Sequence, residues 1–171
     1  MAKDNNRLNI LKRIPASTHE VLAQNGFAPE LPLQKRKTIT VSENAMCYSL
    51  DISGGRECVA YQIDGNIVTE GNKCDKLVLV HTGNDNARGE LWTEVFVELK
   101  GRDVYHGLTQ LVKTVKQQVF KHSSNTEVRA RLVAVNFPAN NANPGVEKLK
   151  IELSKLKVKY KQFKNGQKDS L

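Results

Sequence analysis

The sequence predicts an α/β domain with the element order α-β-β-β-α-β and a mixed central sheet flanked by helices. Three observations carry this expectation. Apolar runs rich in branched and aromatic residues recur at 58–63, 76–80 and 91–99, separated by polar turns that contain glycine. A stripe of helical period follows, Val104, Leu108, Leu111, Val115 and Val119. A further apolar run, 128–137, comes after that helix. The chain has 171 residues, of which 39% are hydrophobic, enough for one domain with its own core.

Taken in order, residues 1–39 read as an N-terminal extension. Leu8, Ile10 and Leu11 begin a short apolar segment that Pro15 interrupts. Residues 18–24 run into Asn25-Gly26, a short helix with a glycine stop. Pro29 and Pro32 mark an extended connector, and 37–41 reads as a strand. Residues 42–48 fit either a helical turn or an extended segment. Ser53-Gly54-Gly55 reads as a turn. The runs 58–63, 76–80 and 91–99 then form an antiparallel meander, with Asp64-Gly65 closing the first and 83–89 a polar hairpin loop. Asp103 caps the helix that begins at Val104, and Ser123-Ser124-Asn125 ends it. After the strand 128–137 comes an Asn-rich loop, 138–144. The basic segment 144–171 reads as a helix to about Lys155 and then an edge strand.

Composition narrows the function classes. No run is long enough to cross a membrane as a helix, and the first residues lack the apolar stretch of a signal peptide. Cys47, Cys58 and Cys74 are an odd set without a Cys-x-x-Cys pair, which argues against a zinc cluster or a disulfide framework. Cys58 and Cys74 adjoin strands and read as buried free thiols of a reducing, cytoplasmic compartment. The net charge of +8 favours a polyanionic partner such as nucleic acid. From residue 146 onward eight lysines stand against three acids. Lys155, Lys157, Lys159 and Lys161 are candidate phosphate contacts, although lysines on an exposed edge also discourage unwanted strand pairing. Trp92, Tyr61 and Tyr105 form no evident base-stacking platform.

The chemistry-bearing feature is Asp75 at the start of one apolar strand and Glu98-Leu99-Lys100 at the end of the next. A strand alternates faces, so Glu98 and Lys100 project to one side together with Phe96. Two carboxylates and an ammonium beside an apolar face are candidates to hold a divalent cation and to direct a water onto a phosphate. Glu98-x-Lys100 is the one acid-x-lysine unit in the chain. On the following helix, His106 and Gln110 stand four residues apart and share a face.

Cys74-Asp75, Val97-Glu98-Leu99-Lys100-Gly101 and the helix bearing His106 and Gln110 resemble the restriction-endonuclease-like core of the PD-(D/E)XK nuclease superfamily. The resemblance covers residues from about 40 to 137, and Cys74 stands where a proline is usual. It implies a divalent-metal-dependent nuclease that hydrolyses phosphodiester bonds, with DNA favoured. Asp75 and Glu98, together with the Leu99 carbonyl, would bind Mg2+, for which Mn2+ could substitute. Lys100 would assist the water or stabilise the phosphate, and Gln110 would hydrogen-bond the water or a phosphate. An additional N-terminal acid often joins such sites; Glu43 and Glu57 are both candidates, and His106 would contact the substrate backbone. A homodimer is a further expectation. The alternative is a catalytically inactive nucleic-acid-binding or regulatory protein on the same scaffold, because fold does not fix function.

Overall fold

The computed structural model describes residues 14–137 and 143–171. The expected start of a helix at 8–11 and most of the Asn-rich loop, 138–142, lie outside the described residues. The elements are α1 (Thr18–Gln24), β1 (Leu31–Glu43), β2 (Met46–Gln62), β3 (Lys76–Asp85), β4 (Gly89–Leu99), α2 (Val104–Val115), β5 (Asn125–Ala134), α3 (Pro144–Lys155), β6 (Val158–Lys164) and β7 (Lys168–Ser170). A single 3-10 turn, Gln118–Phe120, follows α2. Among the described residues the fold is α/β, with a mixed seven-stranded sheet and three helices.

The strand order is β1-β2-β3-β4-β5-β6, with β7 alongside β2. The first four strands are antiparallel neighbours, while β4, β5 and β6 run parallel. Parallel neighbours need a crossover, and α2 and α3 supply it. Ser17, Asp103 and Asn143 cap the three helices with side-chain oxygens. β6 ends the sheet, as its lysine-rich sequence suggested.

The N-terminal half differs from the sequence reading. The connector at Pro29 and Pro32 leads into a 13-residue strand, and residues 46–62 form one 17-residue strand. The ambiguous segment 42–48 is the hairpin between them, reversed at Asn44 and Ala45, both with positive φ. Ser53-Gly54-Gly55 does not reverse the chain. Gly54 and Gly55 take positive φ, and the pairing with β1 jumps from Arg36↔Arg56 to Thr38↔Asp51. This is a bulge that kinks β2 while β1 stays paired on both sides of it.

The kink decides how the sheet is covered. On one face Leu22, Leu108, Leu111, Val112 and Leu153 of the three helices pack on Leu77, Leu79, Phe96, Ala130 and Leu132. On the other face no described helix packs. There Ile39, Val41, Tyr48, Leu50 and Ile52 from the outer part of the β1–β2 hairpin lie against Val78, Val80, Val95, Val97, Val133 and Phe163. The helices that flank the sheet lie on the first face, and a folded hairpin covers the second. Cys58 and Cys74 are buried, and all three cysteines are free. No described helix is long and apolar enough to cross a membrane.

Candidate functional site

The site is assembled where β3 begins and β4 ends, which are adjacent because the two strands are antiparallel. Asp75 is fixed from several sides. Its N–H donates to the Val97 carbonyl (3.2 Å) and its carbonyl accepts from the Ile63 N–H (2.9 Å). Its Oδ2 accepts from the Leu99 N–H at 2.7 Å. The carboxylate is thus held against the Glu98-Leu99-Lys100 unit. The two residues before Asp75 are anchored to α2: Gln110 Nε2 donates to the Lys73 carbonyl (2.9 Å), and the Cys74 N–H donates to Thr114 Oγ1 (2.8 Å). Gln110 and Thr114 are four residues apart and share a face of α2.

Glu98 points to the α2 side of the sheet, in line with Phe96. It is 1% exposed, and its Oε2 has no hydrogen-bond partner. The helix approaches it closely through Gly107. A Cβ there would stand 2.7 Å from Leu132 Cδ1 and 3.4 Å from both Glu98 Cγ and Lys100 Cβ. Lys100 is partly exposed.

The electrostatics are those of buried and crowded acids. Burial pushes the Glu98 carboxyl up to about 9; the charge of Asp75 adds to this, Lys100 opposes it, and Glu43 and Asp64 reinforce it. Asp75 is pushed up to about 6, first by burial, against the Leu99 N–H and Lys100, with Glu43 and Asp64 again raising it. The buried Cys74 thiol is held well above its usual range by desolvation and then by Glu98. Buried acids of this kind stay ionised only beside a compensating cation.

Two further acids, Glu43 and Asp64, therefore act on this pair. Glu43, at the end of β1, has a buried Oε2 without a hydrogen bond, 3.9 Å from Lys76 Nζ. Lys76 is itself held by Glu30 and Gln62. Asp64, which the sequence reading treated only as a turn residue, lies 3.5 Å from Lys73 Nζ. Among the described residues, no three His, Cys, Asp or Glu side chains form a ready metal-ligand set. Asp75 and Glu98 are the two that could hold a cation, and the Glu98 oxygen without a hydrogen-bond partner is the observation that leaves room for one. Magnesium suits such a pair, because it commonly takes one or two carboxylates and completes its shell with water and substrate oxygens.

Other sequence candidates lie elsewhere. Glu57 is exposed and pairs across from Lys35, next to Cys58, which faces Val80. β2 runs antiparallel to β3, so Glu57 falls near His81 in the middle of β3, away from Asp75 at its start, and does not join the site. His106 is exposed in the first turn of α2, where Asp103 caps its N–H.

The four lysines do not rim the site. Val158 aligns with Val128 and Glu94, whereas Gln162 aligns with Leu132 and Glu98. Lys155, Lys157 and Lys159 are therefore at the opposite end of the sheet, and Lys159 pairs with Glu127. Lys161 aligns with Val97 through Arg131, but lies over the Phe163 ring, 5.0 Å from its centroid. Lys164, aligned with Ala134, and Arg102, which follows Lys100-Gly101, join Lys73, Lys76 and Lys100 at the site's end of the sheet.

The sequence reading missed Asp64, Gly107 and Thr114. Only Thr114 carried a signal, its spacing of four from Gln110. Comparison of the chain with protein-family models, curated proteins and solved structures found no match to any of them.

Proposed function

We propose that the chain is a divalent-metal-dependent nuclease that hydrolyses phosphodiester bonds, with DNA the favoured substrate. One observation carries this reading: Asp75 is bonded to the backbone N–H of Leu99, beside a buried Glu98 whose Oε2 lacks a partner. In this reading β2-β3-β4-α2-β5 is the meander, helix and strand of a restriction-endonuclease-like core, and β1, α3, β6 and β7 are additions to it. The site lies beyond the C-terminal ends of parallel strands, a usual place for ligands in open α/β sheets.

Mg2+, or Mn2+ in its place, held by Asp75, Glu98 and the Leu99 carbonyl, would polarise the scissile phosphate and lower the pKa of a bound water. The residues of the chain supply the rest. Glu98 would release its proton to solvent when it serves as a ligand. Asp75 keeps its orientation through the Leu99 N–H, and Gln110 with Thr114 keeps the preceding backbone in place. Lys100 donates to the attacking water or to a phosphate oxygen as negative charge builds there. A net charge of +8 supports association with a polyanion.

The test is digestion of plasmid and of single- and double-stranded oligonucleotides with and without Mg2+ or Mn2+. Cleavage is expected only with metal. Glu98→Ala and Lys100→Ala are each expected to lower it by at least about a hundredfold, the scale of losing one charge-stabilising group, with an unchanged far-UV circular dichroism spectrum. Full activity in either variant overturns the reading. Metal-independent binding without cleavage would favour the non-catalytic scaffold, which the lack of a ready three-acid set among the described residues also suits.

A further inference from the structure

Glu94 is a second buried acid on β4, and the site above does not use it. It shares the α2 face with Glu98 but precedes it by four residues, about 13 Å along a strand. It is 3% exposed, and its Oε1 has no hydrogen-bond partner. Its pKa is raised well above the usual carboxylate range by burial alone, with no charged group compensating it. An unpaired carboxyl in such a place is costly unless something supplies the missing hydrogen bond.

Glu94 forms part of the wall of a cavity of about 490 Å³ at the end of the sheet opposite Asp75 and Glu98. That volume is within the usual range for small-molecule sites. Val115, Phe120, Val128, Leu156 and Val158 give the cavity an apolar lining. Its polar groups are unbalanced. Asn125 also lines it; the Asn125 Nδ2 donates to Thr18 Oγ1 and to the Phe120 carbonyl, leaving a buried Oδ1 without a partner. The His122 ring is fully engaged: Nδ1 accepts from the Ser124 N–H, and Nε2 donates to the Pro15 carbonyl. Lys121 and Ser123 are exposed residues at the edge. Two residues of the wall, Glu94 and Asn125, thus each carry an acceptor in want of a donor, beside an apolar lining.

We propose that this cavity binds a small amphipathic cation, an amine or amidinium head on an apolar body, whose N–H groups are received by Glu94 and by Asn125 Oδ1. A charge-assisted hydrogen bond to Glu94 is the strong contact, and the apolar walls take the body. A neutral amide of the same shape satisfies the acceptors but leaves the carboxyl without a countercharge. The inference is independent of the nuclease reading, because it shares no residue with that site.

Benzamidine, a planar amidinium on an apolar ring, is the probe, and benzamide is its neutral counterpart. A two-dimensional NMR titration of the full chain with benzamidine is expected to saturate, with shifts centred on Val115, Asn125, Val128 and Val158. Benzamide is expected to bind more weakly. Glu94→Gln, which keeps the shape and removes the charge, is expected to weaken benzamidine at least tenfold. Leu156→Trp, at a partly exposed position on the wall, fills the cavity and is expected to abolish binding without disturbing the core. Shifts that do not saturate, benzamide binding as tightly as benzamidine, or undiminished binding in either folded variant overturns the proposal.

Discussion

At the scale of single residues, Glu98 and Asp75 make the metal-free protein sensitive to pH in a definite direction. Both carboxyls hold their protons more tightly in the folded chain than an ordinary carboxyl does, up to about 9 and about 6. The unfolded chain releases those protons first as pH rises. Stability is therefore fully present at acid pH and falls from the ordinary carboxylate range up through about 9 for Glu98. Glu98→Gln is expected to leave the thermal midpoint almost unchanged at pH 4 and to raise it at pH 8, by about 2–4 °C for each kcal/mol relieved in a chain of this length. Adding Mg2+ or Mn2+ at pH 8 is expected to raise the midpoint of the wild type and not that of Glu98→Gln. Thermal scans at the two pH values check both, and equal midpoints for the two chains at pH 8 would refute the burial argument. The Glu98-x-Lys100 unit was readable from the sequence because alternation alone puts both side chains on one face. Asp64 was not, because its influence on Asp75 and Glu98 arises only when the turn after β2 folds back beside them.

At the scale of elements, α2 works as a brace for the residues leading into Asp75. Gly107 brings it close to β4, and Gln110 and Thr114 hold the carbonyl of Lys73 and the N–H of Cys74. Gly107→Ala forces a Cβ to within 2.7 Å of Leu132 Cδ1. It is expected to cost about 1–3 kcal/mol, as other overpacked cores do. Thr114→Val keeps the shape but leaves the buried Cys74 N–H unpaired, at about 1–3 kcal/mol. If the nuclease reading holds, Thr114→Val also lowers cleavage, since Asp75 is then less well fixed. Chemical denaturation measures the stability changes. A Gly107→Ala chain as stable as the wild type would mean that helix and strand have room to part. The stripe from Val104 to Val115 was legible by period. The role of Ser53-Gly54-Gly55 was not: glycines with positive φ serve a bulge as well as a turn, and only the continued pairing of β1 on both sides distinguishes them.

For the molecule as a whole, the C-terminus is fastened to the hairpin layer by one buried ionic cluster. Arg131 Nε lies 2.5 Å from Asp169 Oδ2, and the Tyr48 hydroxyl donates to the same oxygen at 2.7 Å. This cluster joins β5, β7 and β2, three strands distant in sequence. Burial alone would raise the Asp169 carboxyl, but hydrogen bonds from Arg131 and Tyr48 outweigh it and hold the group below its usual value. Its contribution is present at neutral pH and is lost as pH falls through that lowered value, the opposite sense to Glu98. Asp169→Ala leaves Arg131 buried and uncompensated. It is expected to cost about 3–5 kcal/mol, read as a fall in the denaturant midpoint at pH 7. A change below about 1 kcal/mol would show that water reaches Arg131 easily.

The sequence by itself determined the α/β class, the meander of 58–99, the helix after it, the C-terminal helix and edge strand, and the facing of Glu98 and Lys100. These follow from periods of 2 and 3.6 residues, which are local. Tertiary structure decided the rest. It bent β1 and β2 over one face, set Glu57 beside the middle of β3 away from Asp75, brought Glu43 and Asp64 within reach of Asp75, and set Lys155, Lys157 and Lys159 at the end of the sheet away from the site. All four outcomes depend on strand direction and register, which are fixed by partners far along the chain and leave no periodic mark in any one segment.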